Sequence, residues 1–213
     1  LLCEAGFEVI TTNVAQNQLI NYINENKITV LLVRSETTAR KELIDSCPGL
    51  KIIGRGGVGM DNIDVEYARE KGLNVINTPA ASSSSVAELV YAHLFGGVRF
   101  LYESNRNMPL EGESNFKGLK KAYAKGIELR GKTLGIIGFG RIGQEVAKIG
   151  LGVGMNVIAT DKYVNTAEIE VSLFNGASLK VSIETTTMRN VLEQSDFVSL
   201  HVPAQKDYVI SQK

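Results

Sequence analysis

Thr133-Leu134-Gly135-Ile136-Ile137, running straight into Gly138-Phe139-Gly140-Arg141-Ile142-Gly143, is the stretch on which the reading of this sequence turns. A short apolar run suits a buried strand, and from Arg141 to Leu151 apolar residues recur at helical spacing. Between them, three glycines stand as G-x-G-x-x-G. Strand, glycine turn and helix in that order place free N–H groups and the positive end of a helix dipole where an anion can meet them. The first glycine permits the tight turn, the second lets the backbone approach a pyrophosphate, and the third allows close packing of helix on strand. A plain αβ turn without a ligand is the competing reading of three glycines.

What argues against the plain turn is Asp161. It closes the next strand, Asn156 to Thr160, and stands 23 positions after Gly138. That is close to the spacing of about 20 at which a carboxylate binds a ribose hydroxyl of a dinucleotide. A carboxylate there repels a 2′-phosphate, so the expected cofactor is NAD over NADP, with Lys162 as the one opposing charge. Methyltransferases also pair a glycine-rich loop with an acidic strand end, and the rest of the chain has to decide.

Working outward, short apolar runs alternate with helical patterns, the signature of βαβ units around a mainly parallel sheet. Strands are expected at Ile28 to Val33, Leu50 to Ile53, Leu73 to Ile76, Thr133 to Ile137, Asn156 to Thr160 and Phe197 to His201. Helices are expected at Ala39 to Cys47, at Val65 to Lys71 behind Asp64 as N-cap, at Val86 to Leu101 with Ser82 to Ser85 as cap, at Arg141 to Leu151 and at Thr187 to Gln194. Val171 to Phe174 and Leu179 to Ile183 read as a hairpin around Asn175-Gly176. Tyr102 to Arg130 shows weak periodicity and reads as a long irregular arm in the boundary region. Leu1 to Phe7 reads as the tail of a helix with a glycine cap, and the chain stops at Ser211-Gln212-Lys213 in what reads as a strand-to-helix connection, so an incomplete enzyme is expected.

Composition narrows the partners. Lys and Arg number 23 and Asp and Glu 23, so no general attraction to nucleic acid or an anionic membrane is expected, and a small ligand is. No stretch reaches the roughly 18 to 20 apolar residues of a membrane span. Cys3 and Cys47, far apart and without metal-ligand spacing, read as reduced thiols of a cytoplasmic protein. No metal is expected.

A second glycine-rich stretch, Gly54-Arg55-Gly56-Gly57-Val58-Gly59-Met60-Asp61-Asn62-Ile63-Asp64, follows an apolar run and can offer consecutive N–H groups to an anion. Together with Asn77-Thr78-Pro79, Val86-Ala87-Glu88-Leu89, the 138–143 turn and Ser195-Asp196-Phe197-Val198-Ser199-Leu200-His201-Val202-Pro203, it resembles the D-isomer-specific 2-hydroxyacid dehydrogenase family. Within that family the likeness is to the branch that oxidises 3-phosphoglycerate in serine synthesis.

The resemblance implies an α/β protein of two domains, both truncated here: a flavodoxin-like substrate domain, its N-terminal part at 1–80, and a Rossmann doubly wound parallel sheet for NAD at 81–213. It implies a small 2-hydroxy acid as substrate and a homodimer or higher homo-oligomer as assembly. It places Gly57, Val58 and Gly59 on the substrate carboxylate, and Arg34 and Ser35 facing the substrate. Val58 and Val86, then Gly138, Gly140, Arg141, Ile142, Gly143 and Asp161, and finally His201, Val202 and Pro203, are placed at the cofactor. The arginine, glutamate and histidine that carry the proton chemistry in the family lie downstream of His201-Val202-Pro203, which here means beyond Lys213, so none is expected in this chain and the chain alone is expected to be inactive. Relatives that act on glycerate, glyoxylate, lactate or formate share these motifs, as do corepressors that sense NAD(H) without turnover.

Simpler roles compete for several residues. Asn62 and Asp64 read as turn and cap residues, His93 as a packed core residue on an apolar helix, His201 as structural or cofactor-adjacent, and Lys120 and Lys121 as a solvated face. Arg34 as a surface cation competes with Arg34 at the substrate.

Overall fold

The computed structural model describes residues 2–203 and 207–211, and the chain divides into two compact units, Leu1–Ser82 and Ser83–Lys213. The expected connection at 211–213 lies largely outside the described residues.

In the first unit a single 3-10 turn, Gln16–Gln18, leads into α1 (Leu19–Glu25), then β1 (Val30–Val33), α2 (Lys41–Ser46), β2 (Ile52–Arg55), α3 (Val65–Glu70) and β3 (Asn74–Asn77). The three strands are parallel in the order β1-β2-β3, with Val30 opposite Ile52 and Ile52 opposite Asn74. Ile53 at the centre of the middle strand is fully buried among Ile23, Leu43, Ile44, Cys47 and Ala68. β2 begins two residues later than its apolar run because Leu50 closes a turn onto the Cys47 carbonyl.

Asp64 occupies the N-cap position of α3, but its carboxylate does not cap that helix. It accepts the Lys41 N–H at the start of α2 (3.0 Å) and the Arg40 guanidinium (2.9 Å), tying α2 to α3. Arg40 beside it holds the Asp64 carboxyl below the usual range. At the amino end, Phe7 N–H bonds Leu2 C=O and Gly6 N–H bonds Cys3 C=O around Gly6 at φ +86°. That is the bond pair of a glycine-closed helix end, although residues 2–6 form turns and not a helix.

The second unit runs α4 (Ser83–Val98), α5 (Leu101–Tyr123), β4 (Thr133–Ile137), α6 (Arg141–Val153), β5 (Asn156–Thr160), β6 (Thr166–Ser172), β7 (Ser178–Glu184), α7 (Met188–Gln194) and β8 (Phe197–Leu200). Its parallel sheet has the order β5-β4-β8, so the connection reverses at β4 and opens a crevice at the carboxyl end of that strand. Leu134, Ile136 and Ile137 of β4 are buried, with Val146 and Ala147 of α6 against them. β6 and β7 pair antiparallel and turn Ile169 and Ile183 inward onto the same core. Their turn is one residue longer than a two-residue Asn-Gly loop: Leu173 N–H bonds Ala177 C=O, Gly176 N–H bonds Leu173 C=O, and Gly176 has φ +84°.

Two expectations fail here. Ser83 to Ser85 form the first turn of α4 and are not a cap ahead of it. The stretch expected to be an irregular boundary arm is largely α5, a helix inside the second unit, bent at Asn115 (φ −131°, ψ 28°) and carrying Pro109. Among the described residues, no helix is long and apolar enough to cross a membrane and no cluster of His, Cys, Asp and Glu is placed to hold a metal.

Candidate functional site

The 138–143 turn leaves the carboxyl end of β4 and starts α6, and its three glycines do three different jobs. Gly138 has φ +94°, and a β-carbon there would stand 2.6 Å from the His201 carbonyl oxygen. Gly143 faces inward, where a β-carbon would overlap the Gly138 carbonyl and crowd Ile136 at 3.1 Å. Gly140, the N-cap of α6, has nothing within 4 Å of the equivalent point. The first and third glycines are therefore required by the protein's own packing, while the second leaves an open approach to the backbone.

The first bond inside α6 runs from Gln144 N–H to Gly140 C=O, 2.9 Å, which leaves the N–H groups of Arg141, Ile142 and Gly143 at the open helix end. The Arg141 side chain is exposed beside them and Ile142 is half-buried. Phe139, by contrast, is fully buried in the core.

Asp161 sits at the end of β5 next to this turn. Its Oδ2 accepts the Phe139 N–H (2.6 Å), and its Oδ1 accepts the N–H of Tyr163 (2.7 Å) and Val164 (3.0 Å). Burial pushes the carboxyl up, but the backbone N–H donors of Tyr163, Phe139, Val164 and Lys162 together outweigh it, so its pKa lies below the usual value and the group is ionised at neutral pH. Lys162 is turned onto the Tyr163 ring, 5.4 Å from its centre.

The other wall of the turn is the end of β8. His201 N–H bonds Ile137 C=O (2.7 Å), and its ring Nε2 lies 2.8 Å from Ser199 Oγ. Burial lowers the imidazole pKa, which keeps the ring neutral. Val202 is half-buried with its Cγ1 2.8 Å from the Gly138 β-position, and Pro203 is exposed.

In the first unit, the 56–60 loop leaves β2. Gly56 N–H bonds Val33 C=O and Gly57 N–H bonds Arg55 C=O, both at 3.0 Å. Gly57 is thus not the free donor expected of it. The N–H groups of Val58 and Gly59 have no acceptor among the described residues, and both residues are exposed. Asn77 Nδ2 donates to Val58 C=O (2.7 Å) and Thr78 N–H to Gly57 C=O (3.1 Å), holding the loop from β3. Arg34 and Ser35 are exposed at the end of β1, with Arg34 Cγ 3.9 Å from where a Gly56 β-carbon would be.

A family model described as D-isomer specific 2-hydroxyacid dehydrogenase, catalytic domain, matches residues 2–196. The chain belongs to the D-isomer specific 2-hydroxyacid dehydrogenases. It is 41% identical over 203 residues to the hydroxypyruvate reductase of Thermotoga maritima, covering 95% of this chain and 60% of that protein. Among solved structures, an acyclic imino acid reductase in complex with NADPH and D-Arg aligns with TM-score 0.72 and 29% identity over 96% of this chain and 60% of that one. The NAD+-bound 3-phosphoglycerate dehydrogenase of Entamoeba histolytica aligns with TM-score 0.67 and 29% identity, over 96% of this chain and 56% of that one. The chain therefore spans 60% or less of the length of these relatives.

For this member of the 2-hydroxyacid dehydrogenases, several further residues find their places. Val86 is half-buried in the first turn of α4, which packs on α6. His93 is exposed, not a core residue: the buried side of α4 runs through Ala87, Tyr91 and Val98, and His93 lies off that line, on a groove of about 600 Å³ with Leu94, Phe197 and Val198. Asn62 is the buried turn residue expected, donating to the carbonyls of Arg34 (2.8 Å) and Thr37 (2.6 Å). Lys120 and Lys121 are exposed as expected.

Sequence reasoning did not single out Arg55 or Gln144. Arg55 bonds the Gly59 carbonyl and Asp61 Oδ1 (2.8 Å) from beneath the 56–60 loop, with its Nε buried. Gln144 Nε2 donates to the Phe139 carbonyl (2.9 Å). Arg55 was legible as a cation within the glycine-rich run; for Gln144 the sequence carries no signal beyond its place one turn into α6.

Proposed function

We propose that this chain forms the NAD site and part of the substrate site of a dehydrogenase acting on a small D-2-hydroxy acid. The observation that carries the reading is the open backbone at Gly140, set at the start of α6 between the free N–H groups of that helix and the ionised Asp161. A pyrophosphate fits the first and ribose hydroxyls fit the second. When bound, NAD supplies the hydride acceptor. This chain's own part is to hold and orient. Arg141, Ile142 and Gly143 offer N–H groups to the pyrophosphate, Asp161 disfavours a 2′-phosphate, and the neutral His201 with Val202 and Pro203 walls the adenosine side. The exposed N–H groups of Val58 and Gly59 receive the substrate carboxylate, with Arg34 as a nearby cation.

The substrate we favour is 3-phosphoglycerate, oxidised to 3-phosphohydroxypyruvate in serine synthesis. Arg34, exposed beside the glycine loop, supports a phosphorylated acid. The arginine, glutamate and histidine that manage the proton are assigned to residues following this chain in the complete enzyme, which we place in the cytoplasm on the strength of the two free thiols. Leu89, Phe95, Leu101, Leu110 and Phe116, exposed along α4 and α5, support a homodimer through those helices.

Calorimetric titration of the chain with NADH and NADPH tests the cofactor reading: heat with NADH that is lost in Gly140→Val supports it, and unchanged binding in that variant removes the assignment of the turn. A steady-state screen of the complete enzyme tests the substrate, and preference for glycerate or glyoxylate over 3-phosphoglycerate would sink the phosphorylated choice.

A further inference from the structure

We infer that Asn77 is a positioning residue for the substrate carboxylate: its side-chain amide fixes the Val58–Gly59 peptide so that the Gly59 N–H faces the ligand. The inference rests on the reading of the 56–60 loop as the receiver of that carboxylate.

A trans peptide is planar and carries its C=O and N–H on opposite sides, so a group that ties down the carbonyl also aims the amide. The two exposed N–H groups of the loop belong to Val58 and Gly59, and the carbonyls of those same two peptides are Gly57 and Val58. Both carbonyls are held from the end of β3. Thr78 N–H donates to Gly57 C=O at 3.1 Å, and Asn77 Nδ2 donates to Val58 C=O at 2.7 Å. The first bond is made by the main chain, but the second depends on one side chain. Among the described residues, Val58 C=O has no other donor.

The strand register explains why Asn77 reaches this carbonyl. β2 and β3 run parallel with Arg55 opposite Asn77, so the last residues of the two strands stand side by side beneath the loop. Arg55 bonds Gly59 C=O and Asp61 Oδ1, while Asn77 bonds Val58 C=O between them. The path of the loop does not depend on Asn77. Gly56 N–H on Val33 C=O, Gly57 N–H on Arg55 C=O and the Arg55 guanidinium on Gly59 C=O all remain when its amide is removed. What is freed is the Val58–Gly59 peptide, which ends on a glycine and so meets little steric limit to rotation. A carboxylate that met two aimed amides then meets one, and each is a bond to a charged acceptor.

The experiment is a titration of the isotope-labelled 213-residue chain with D-glycerate, and with glycerol as a like skeleton without the carboxylate, followed at the Val58 and Gly59 amides by nuclear magnetic resonance. Wild type is compared with Asn77→Ala and with Asn77→Leu, which keeps much of the shape and removes the donor. In wild type, D-glycerate shifts both amides and glycerol shifts neither. In the variants the Val58 shift persists and the Gly59 shift is lost. The D-glycerate dissociation constant rises roughly tenfold, the fold-change that matches loss of one hydrogen bond to a charged group. In the complete enzyme, the same variants raise KM for the hydroxy acid by a similar factor and leave kcat and the KM for NAD in place. If Asn77→Ala does not fold, Asn77→Leu gives the reading. A Gly59 shift as large in the variants as in wild type, or a KM for NAD that rises as much as that for the acid, overturns the role of Asn77 and leaves the carboxylate reading standing. Should D-glycerate move neither amide in wild type, the carboxylate reading of the loop itself fails, and the role of Asn77 falls with it.

Discussion

Tyr91 donates its phenolic hydroxyl to the main-chain carbonyl of Val146 at 2.9 Å, a buried bond that ties α4 to α6 beneath the glycine turn. The same oxygen lies 2.6 Å from where a β-carbon on Gly150 would stand, so glycine at 150 and tyrosine at 91 are one packing decision. The carbonyl also sits within α6, so Tyr91→Phe removes a bond without orphaning it, at a cost of about 1 kcal/mol. Gly150→Ala alone is expected to cost more, and part of that cost should vanish in the Tyr91→Phe background. Chemical denaturation of the four proteins of that double-mutant cycle measures the coupling. Additive losses would mean that the two residues do not share the space the structure gives them.

The three glycines of the turn should separate stability from binding. Gly143→Ala forces a β-carbon into the Gly138 carbonyl and is expected to cost about 3 kcal/mol. Gly140→Ala meets open space in an extended conformation and should change stability by no more than about 0.5 kcal/mol, yet lower NADH affinity. Thermal unfolding and cofactor titration on the same samples read both quantities. Destabilisation by Gly140→Ala equal to that by Gly143→Ala would show that the second glycine is structural too.

His201 makes the chain acid-sensitive. Burial lowers its folded-state pKa below the unfolded value, so the unfolded chain takes up the proton first as pH falls. Its contribution to stability is complete above the unfolded pKa of about 6.5 and is lost as pH drops through the folded value. His201→Asn should therefore flatten the stability profile between about pH 7 and pH 5. Unfolding midpoints across that range check this, and a variant as acid-sensitive as the parent would refute it.

The strand-turn-helix core was legible because its signals are local. β4 and β5 lie where their apolar runs predict, since each has few alternatives between a glycine turn and a helix. α5 was not legible, for a physical reason: its long span buries only Leu119, so no core stripe repeats along it, and Pro109, Gly112 and Gly118 mimic loop composition. His93 was misplaced by phase. The apolar side of α4 is broader than its buried side, and the contacts that matter run through the small Ala87 and the polar-tipped Tyr91. At the site, the residue types of the turn were readable, but the partners of Asp161, Arg55 and Gln144 depend on side-chain directions that spacing does not encode.

Asn62 holds the chain of Arg34 in place. Its amide donates to the carbonyls of both Arg34 and Thr37, and it is buried with its own Oδ1 unpartnered, so every favourable contact runs through the NH2 group. Asn62→Ala loses both bonds and is expected to cost about 2 kcal/mol while loosening the 34–37 segment. Asn62→Asp keeps the shape but turns acceptor oxygens toward two carbonyls, and a buried carboxylate facing acceptors has its pKa raised. The unfolded chain then releases the proton first, so the penalty should be least below about pH 4 and grow as pH rises above it. Denaturation of the two variants at pH 4 and pH 7 distinguishes this from a plain loss of volume. Asp should be the worse substitution at pH 7 and should close on Ala at pH 4; a gap independent of pH would mean that the amide donor is not what holds Arg34.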